Sequence, residues 1–417
     1  MKKKSLLGAL VSAALVAGIA LVPSANAANK TIIVWADDQR GPALKKFLDG
    51  NTTVAPGYVV KVSTYSNYDA LDGAWQKATA ASGPDIMFNP VGDALKYARS
   101  GKVLPLFLPA ESKNNISATA LKYATYQGKV YAVPLDIDTT SMYWNTKFGP
   151  APETFADLAA AFTKAKAAGT ATVGWCAGDG TWGSLPFLTA MGGGAWGYVG
   201  KSSTPDVSKI LFNSPTAAAN IKKYALGADG KSNGLFDWSG WDSGCGQTWL
   251  AGKAMAINTG SWRLSATKDA KISFTIQPTP TLSGKGITRQ WAGYGGAWVS
   301  SFAGDHGVVL GARKVLNYLS TAPGSLAYAL ASGRPSPNSA ITSKLSADVQ
   351  GFAKAGALNG AVQENALLGD STGGSNWYDV LDSTYTAIFT KGQDVQATLD
   401  KGAAILKKNW EHGMTLR

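Results

Sequence analysis

Asp136 and Asp138, separated by one residue, are the pair in this chain most readily read as chemistry. In an extended segment that spacing puts both carboxylates on one face, about 6.5–7 Å apart. The separation superficially suits glycoside cleavage, where two carboxylates flank the scissile bond and one has a raised pKa. Neighbouring carboxylates can also simply accept sugar hydroxyls or cap backbone N–H groups, and that non-catalytic reading is favoured. The chain has no H-E-x-x-H and no phosphate loop, and Gly192-Gly193-Gly194 is a flexible turn beside Trp196. His306 and His412 lie far apart, so a zinc site would lack ligands, and no metal or cofactor is expected.

Fourteen tryptophans are a heavy load for 417 residues, and the position of several matters more than the number. Trp182, Trp262 and Trp377 lie in or beside Gly/Ser/Asn-rich turns rather than inside apolar runs. An indole face suits the C–H face of a pyranose, while nearby carboxylates, amides and arginines satisfy its hydroxyls. Ordinary packing explains any one of these rings equally well. For the set, carbohydrate contact is the favoured reading.

The cysteines, Cys176 and Cys245, allow one bridge in an exported protein; two buried thiols are the alternative. Export itself is read from the N-terminus. Lys2-Lys3-Lys4, an apolar run over residues 6–22 and Ala25-Asn26-Ala27 form the charge, apolar stretch and small-residue order of a secretory signal. Residues 1–27 are therefore expected to be removed. No cysteine stands there to carry a lipid anchor.

The remaining length exceeds what one core usually serves, so two domains are expected. The chain is 45% hydrophobic and 16% charged, with a formal charge of +12. Its lysines are scattered, without the aromatic or glycine interleaving of a nucleic-acid surface, so a nucleic-acid partner is not expected. Residues 31–35 read as a buried strand, followed by a polar turn at 36–41 and a helix over 42–48. Residues 58–63 and 85–88 read as further strands with helices between them, a spacing that argues for parallel α/β layers. Extended segments at 129–134 and 141–144 flank the two aspartates. Residues 152–166 form a helix capped by Thr154, and glycine-rich loops are expected to dominate 172–249. A strand at 254–257 ends in a turn at 258–261, another lies at 274–276, and helices follow at 307–319 and 325–330. The rest is mostly helical, with an interruption at 369–375.

In order and spacing, several of these segments resemble the maltose/maltodextrin-binding branch of the extracellular solute-binding proteins of ABC importers. The resemblance rests on Ile33-Val34-Trp35-Ala36-Asp37-Asp38, Pro84-Asp85-Ile86-Met87 and Gly128-Lys129-Val130-Tyr131-Ala132-Val133-Pro134 followed by Asp138. It continues through Met142-Tyr143-Trp144-Asn145, Pro152-Glu153-Thr154-Phe155, the run from Gly252 to Trp262, and Asn376-Trp377-Tyr378. It implies an α/β, two-lobe periplasmic-binding-protein fold (type II-like) with a ligand cleft between the lobes. Residues 31–135 with 291–336 would form the first lobe, and 140–287 with 341–417 the second. The chain would cross between them near 135–140, 287–291 and 336–341.

The resemblance further implies stacking of a sugar on Trp182, Trp262 and Trp377 with Tyr378, and acidic contacts from Asp37, Asp38 and Asp138. Arg40 would steady the first two. Asn89 stands where the family has a tryptophan, Asp93 is what remains of an Asp-Arg pair, and Leu381 replaces an arginine. These departures weaken the maltose assignment within the family. The implied partners are a carbohydrate ligand and a membrane permease, with the chain acting as a soluble monomer in the periplasm or an equivalent envelope space. A binder of another glycan or of a polyol, and less favourably a secreted sugar-modifying enzyme, are the alternatives.

Overall fold

Ile32, Val34 and Ala36 point to one side of the opening strand, Lys30–Ala36, and Trp35 to the other. Both faces are covered, as a parallel strand requires. This strand pairs in parallel with Tyr58–Thr64 and Ile86–Pro90, where Ile86 and Phe88 share the first face and Met87 the second. The computed structural model describes residues 29–198, 205–242, 244–286, 288–362 and 376–415. The expected export signal and the interruption at 369–375 lie outside the described residues.

One strand, Val133–Asn145, organises the rest. Its first half pairs antiparallel with Gln290–Ser300 and its second half with Ala254–Gly260. Gln290–Ser300 pairs onward with Ile86–Pro90, while Ala254–Gly260 pairs in parallel with Val173–Ala177 and leads to Phe236–Asp237. The sheet is thus parallel towards both ends and antiparallel where the long strands meet. The expectation of two extended segments flanking the aspartates is corrected here. Asp136, Ile137 and Asp138 continue the ladder opposite Gly295, Tyr294 and Gly293, because arginines neutralise carboxylates that would otherwise interrupt a buried strand.

On either side of this junction lies a separate core. One gathers Leu44, Ile86, Leu316 and Tyr328, and the other Trp144, Phe155, Phe187, Ile221 and Leu399. Trp291 stands at the expected crossing near 287–291. Its ring packs 5.8 Å from Trp196 and 5.7 Å from Trp377, within the second core.

The expected loop-rich region is also corrected. Residues 172–249 contain the strand Val173–Ala177 and the helices Leu185–Ala190, Pro215–Ala225 and Cys245–Leu250. Pro215 starts its helix without needing an N–H donor, and Ala217, Ala218, Ile221 and Ala225 form its buried stripe. Small alanines gave that stripe little contrast in the sequence. Likewise Asn258, Thr259 and Gly260 extend their strand instead of turning. Asn258 Nδ2 donates to Thr140 Oγ1 at 2.8 Å and to the Gly183 carbonyl at 2.9 Å. The Thr154 cap is present and forms a full capping box with Asp157 on Phe155–Ala167.

Cys176 and Cys245 are bridged, with Cα atoms 5.6 Å apart and a sequence separation of 69. Closing a loop of that length restricts the unfolded chain by about 4 kcal/mol in the loop-entropy account. Cys176→Ala with Cys245→Ala is expected to lower unfolding stability by about that amount in urea titrations, and a loss below about 1 kcal/mol would contradict it.

His306 ties the helix Phe302–Asp305 to the opening strand. Its Nδ1 lies 2.8 Å from Asp85 Oδ1, while Asp85 Oδ2 accepts the Ile33 N–H at 2.7 Å. Its Nε2 faces the Ala80 carbonyl, so both ring nitrogens meet acceptors and the doubly donating imidazolium fits best. Burial opposes that charge, but Asp85 and the Ala80 carbonyl outweigh it and raise the His306 pKa. The resulting stabilisation is full below the unfolded-state pKa of about 6.5 and is lost as pH rises through the folded value. Thermal midpoints should therefore fall from neutral towards alkaline pH more steeply for the native chain than for His306→Gln. Parallel pH profiles would contradict this.

Candidate functional site

The strand-to-helix turn after Lys30–Ala36 brings the first charges to the junction. Asp37 Oδ1 accepts the N–H groups of Gln39 and Arg40 at 3.1 and 2.7 Å, closing the turn. Arg40 then reaches inward. Its Nη1 donates to Asp37 Oδ2 at 2.7 Å, its Nε to Asp136 Oδ2 at 3.3 Å and its Nη2 to Asp138 Oδ2 at 2.6 Å. A second guanidinium, Arg334, follows Gly333, whose left-handed φ of 66° ends the helix Ala322–Ser332. Arg334 Nη1 donates to Asp138 Oδ1 at 2.5 Å and Nη2 to Gln39 Oε1 at 2.6 Å. Tyr328 completes the shell by donating its hydroxyl to Asp136 Oδ2. Gly295 makes room for this cluster, because a Cβ there would stand 2.2 Å from Asp136 Oδ1.

The two strand aspartates differ. Burial alone would raise Asp136, but Arg40, Arg334 and the Tyr328 hydroxyl hold it below the ordinary carboxylate range. For Asp138, burial together with the charges of Asp136 and Asp37 outweighs the two guanidiniums and raises it. Burial lowers Arg40, yet Asp136, Asp138 and Asp37 lift it well above its usual value.

The opposite wall comes from the second core. Asp179, in the loop after Val173–Ala177, accepts from Trp262 Nε1 at 2.9 Å and from Thr259 Oγ1 at 2.8 Å. Burial raises its pKa against those donations. The Trp262 ring lies over Gly260, where a Cβ would come within 2.1 Å of it. Trp182 stands 5.8 Å away at an interplanar angle of 53°. Arg334 lies 5.1 Å above the Trp262 ring, so the guanidinium anchored by Asp138 touches the aromatic wall across the cleft.

Between the walls is a cleft of about 480 Å³, within the range of small-molecule sites. Asp37, Arg40, Asp93, Asp138, Trp182, Trp262 and Tyr378 line it. Eleven of the fourteen tryptophans are buried; Trp182, Trp238 and Trp262 are not, and two of those three face the cleft.

Three expected residues stand elsewhere. Trp377 is 0% exposed, packed against Phe212 and Trp291, so the proposed platform is a core residue and its neighbour Tyr378 reaches the cleft instead. The capping box at Asn376 starts the helix Trp377–Tyr385, whose first residue, Trp377, turns inward. Asn89 is buried in its strand, where its amide donates to Asp93 Oδ2 at 3.2 Å. Asp38 is exposed and off the cleft wall; burial and Asp37 still raise its pKa.

The cleft also contains residues that the sequence reading missed: Asp179, Tyr68, Tyr123, Tyr294 and, through its contact with Trp262, Arg334. Gly178-Asp179-Gly180 and Gly333-Arg334-Pro335 carried a local signal, since a charge in a glycine or proline turn invites a functional reading. The tyrosines carried none. Among the described residues, no group of three His, Cys, Asp or Glu side chains could hold a metal ion.

Residues 43–359 match the family of bacterial extracellular solute-binding proteins. The chain belongs to that family. This solute-binding protein is 28% identical over 246 residues to a maltodextrin-binding protein of Bacillus subtilis. It is 27% identical over 248 residues to a maltooligosaccharide ABC transporter solute-binding lipoprotein of Streptococcus pneumoniae. Each alignment covers 58% of this chain, and the chain spans 58% and 57% of the length of those relatives. Its structure superposes on the maltose-binding periplasmic protein of Listeria monocytogenes, solved with maltose, at a TM-score of 0.68. That match covers 91% of this chain and 98% of the other at 19% identity. The shared fold is the two-lobe periplasmic-binding fold. No helix among the described residues is long and apolar enough to cross a membrane.

Proposed function

We propose that this solute-binding protein captures an oligosaccharide of the maltodextrin class in the cleft and delivers it to an ABC permease. The observation that carries the reading is the pairing of two walls. Trp182 and Trp262 offer aromatic faces, and Asp37, Asp93, Asp138 and Asp179 bring carboxylates to the same space. A pyranose presents an apolar face and a rim of hydroxyls, which suits both walls at once. The relatives' maltodextrin and maltooligosaccharide names support the same ligand class.

The lobes would comprise residues 31–135 with 291–336, and 140–287 with 341–417. Closure would bury the sugar's hydrogen bonds and sharpen discrimination. Only a ligand that binds the closed form more tightly can shift the population towards it. We place the chain outside the cytoplasmic membrane as a monomer without a cofactor, with residues 1–27 removed on export. Capture without turnover is favoured because Asp136 and Asp138 are held in ion pairs with Arg40 and Arg334. Asp136 is fully buried behind the wall, and each oxygen of Asp138 already accepts from a guanidinium, so the two are poorly placed to flank a scissile bond.

The test is a titration with maltose, maltotriose and other di- and trisaccharides, followed by intrinsic tryptophan fluorescence, with the sugar then recovered. A saturable response to maltooligosaccharides and intact recovery are expected. No response to any glucose-containing oligosaccharide would remove the maltodextrin reading. New reducing ends in the recovered sugar would remove the capture reading.

A further inference from the structure

The chain as a whole is basic, at +12, but its cleft is acidic. Four carboxylates, those of Asp37, Asp93, Asp138 and Asp179, line it; the guanidiniums that meet them are Arg40 on the wall and Arg334 over the Trp262 ring, and no lysine is among its described lining residues. Asp136 stands directly behind this wall on the guanidinium of Arg40. The two arginines at the junction are already engaged. Arg40 directs Nη1, Nε and Nη2 at aspartates, and Arg334 directs Nη1 at Asp138 and Nη2 at Gln39.

We propose that the cleft selects glycans by charge, admitting neutral and amine-bearing oligosaccharides and refusing those that carry uronate groups. The inference rests on the glycan-binding reading above and names the class of glycan. An ionised aspartate only accepts hydrogen bonds, and so does a sugar carboxylate, so the two repel and share no proton. A hydroxyl or an ammonium group donates to the same oxygens. Like charges brought together between low-dielectric walls are strongly disfavoured. The guanidiniums of Arg40 and Arg334 are paired already, and Arg263, whose charge acts on Asp179 from beyond the lining, stacks on Trp241.

The experiment uses trisaccharides of three skeletons: α-1,4-glucan, β-1,4-glucan and α-1,4-galactan. Each is prepared with C6 as hydroxyl, carboxylate or amine and titrated calorimetrically against the full mature chain. For whichever skeleton binds, the carboxylate form should be weaker than the hydroxyl form by on the order of a hundredfold at low salt, and the amine form at least as tight. The gap should narrow at about 0.5 M salt, where exposed charges are screened. A carboxylate form within about tenfold of its neutral parent overturns the proposal while leaving glycan binding intact.

A second measurement needs no bound sugar. The fluorescence component lost in Trp182→Phe with Trp262→Phe should be quenched more strongly by caesium than by iodide. If no trisaccharide binds, the glycan reading fails. The charge claim is then judged by the quenchers, and stronger quenching by iodide overturns it.

Discussion

Replacing Arg40 with leucine is expected to cost about 3–5 kcal/mol of folding stability, the range for breaking one side of a buried ion pair. Arg40 is buried and holds three aspartates at once, from the turn after the first strand and from the long strand Val133–Asn145. Its removal would leave Asp37, Asp136 and Asp138 with Arg334 as the remaining guanidinium of the cluster. The loss should depend on pH in a defined sense. In the native chain Asp136 is held below its ordinary value. Its stabilising contribution is therefore present above the unfolded-state pKa of about 3.9 and lost as pH falls through the folded value. In the variant the orphaned carboxylates can relieve their repulsion by taking protons, so the deficit should shrink as pH is lowered from neutral. Urea unfolding at several pH values checks this. A loss below about 1 kcal/mol, or a deficit independent of pH, would contradict the account.

Replacing Trp262 with alanine is expected to weaken sugar binding by at least about 2 kcal/mol, roughly thirtyfold, as for a ring at the centre of a binding surface. The ring is placed from several directions, with Gly260 beneath it, Asp179 accepting its N–H, Trp182 beside it and Arg334 over its face. Trp262 is only partly buried, so thermal unfolding should remain cooperative. Trp262→Phe separates two contributions, since it keeps an aromatic face but leaves Asp179 without the indole donor. It should fall between native and alanine in affinity. Calorimetric titration of the three proteins checks the order. An alanine variant that binds like the native chain would show that the platform lies elsewhere.

The sequence revealed local features best. The opening strand and the capped helix after Thr154 depend on short-range patterns, and each is present; the cysteines, 69 residues apart, could be read as a pair because the chain has two. The spacing of Asp136 and Asp138 did place both on one face, since Arg40 reaches both. Their role depended on Arg40 and Arg334, which stand 96 and 196 residues from Asp136 and Asp138 respectively. No local pattern encodes such a meeting. Trp377 shows the complementary limit. A tryptophan beside a polar turn can point to either side of its helix, and the cap at Asn376 decides which. Tyr68, Tyr123 and Tyr294 reach the cleft from three separate segments, and only the folded sheet and its helices bring them together.

The most direct test of the central claim is hydrogen–deuterium exchange with and without saturating maltotriose. The account predicts slowed exchange on both sides of the cleft together: in residues 36–40 of one lobe, and in residues 178–184 and 259–263 of the other. Protection confined to one lobe, or falling away from all three segments while maltotriose remains bound, would contradict it.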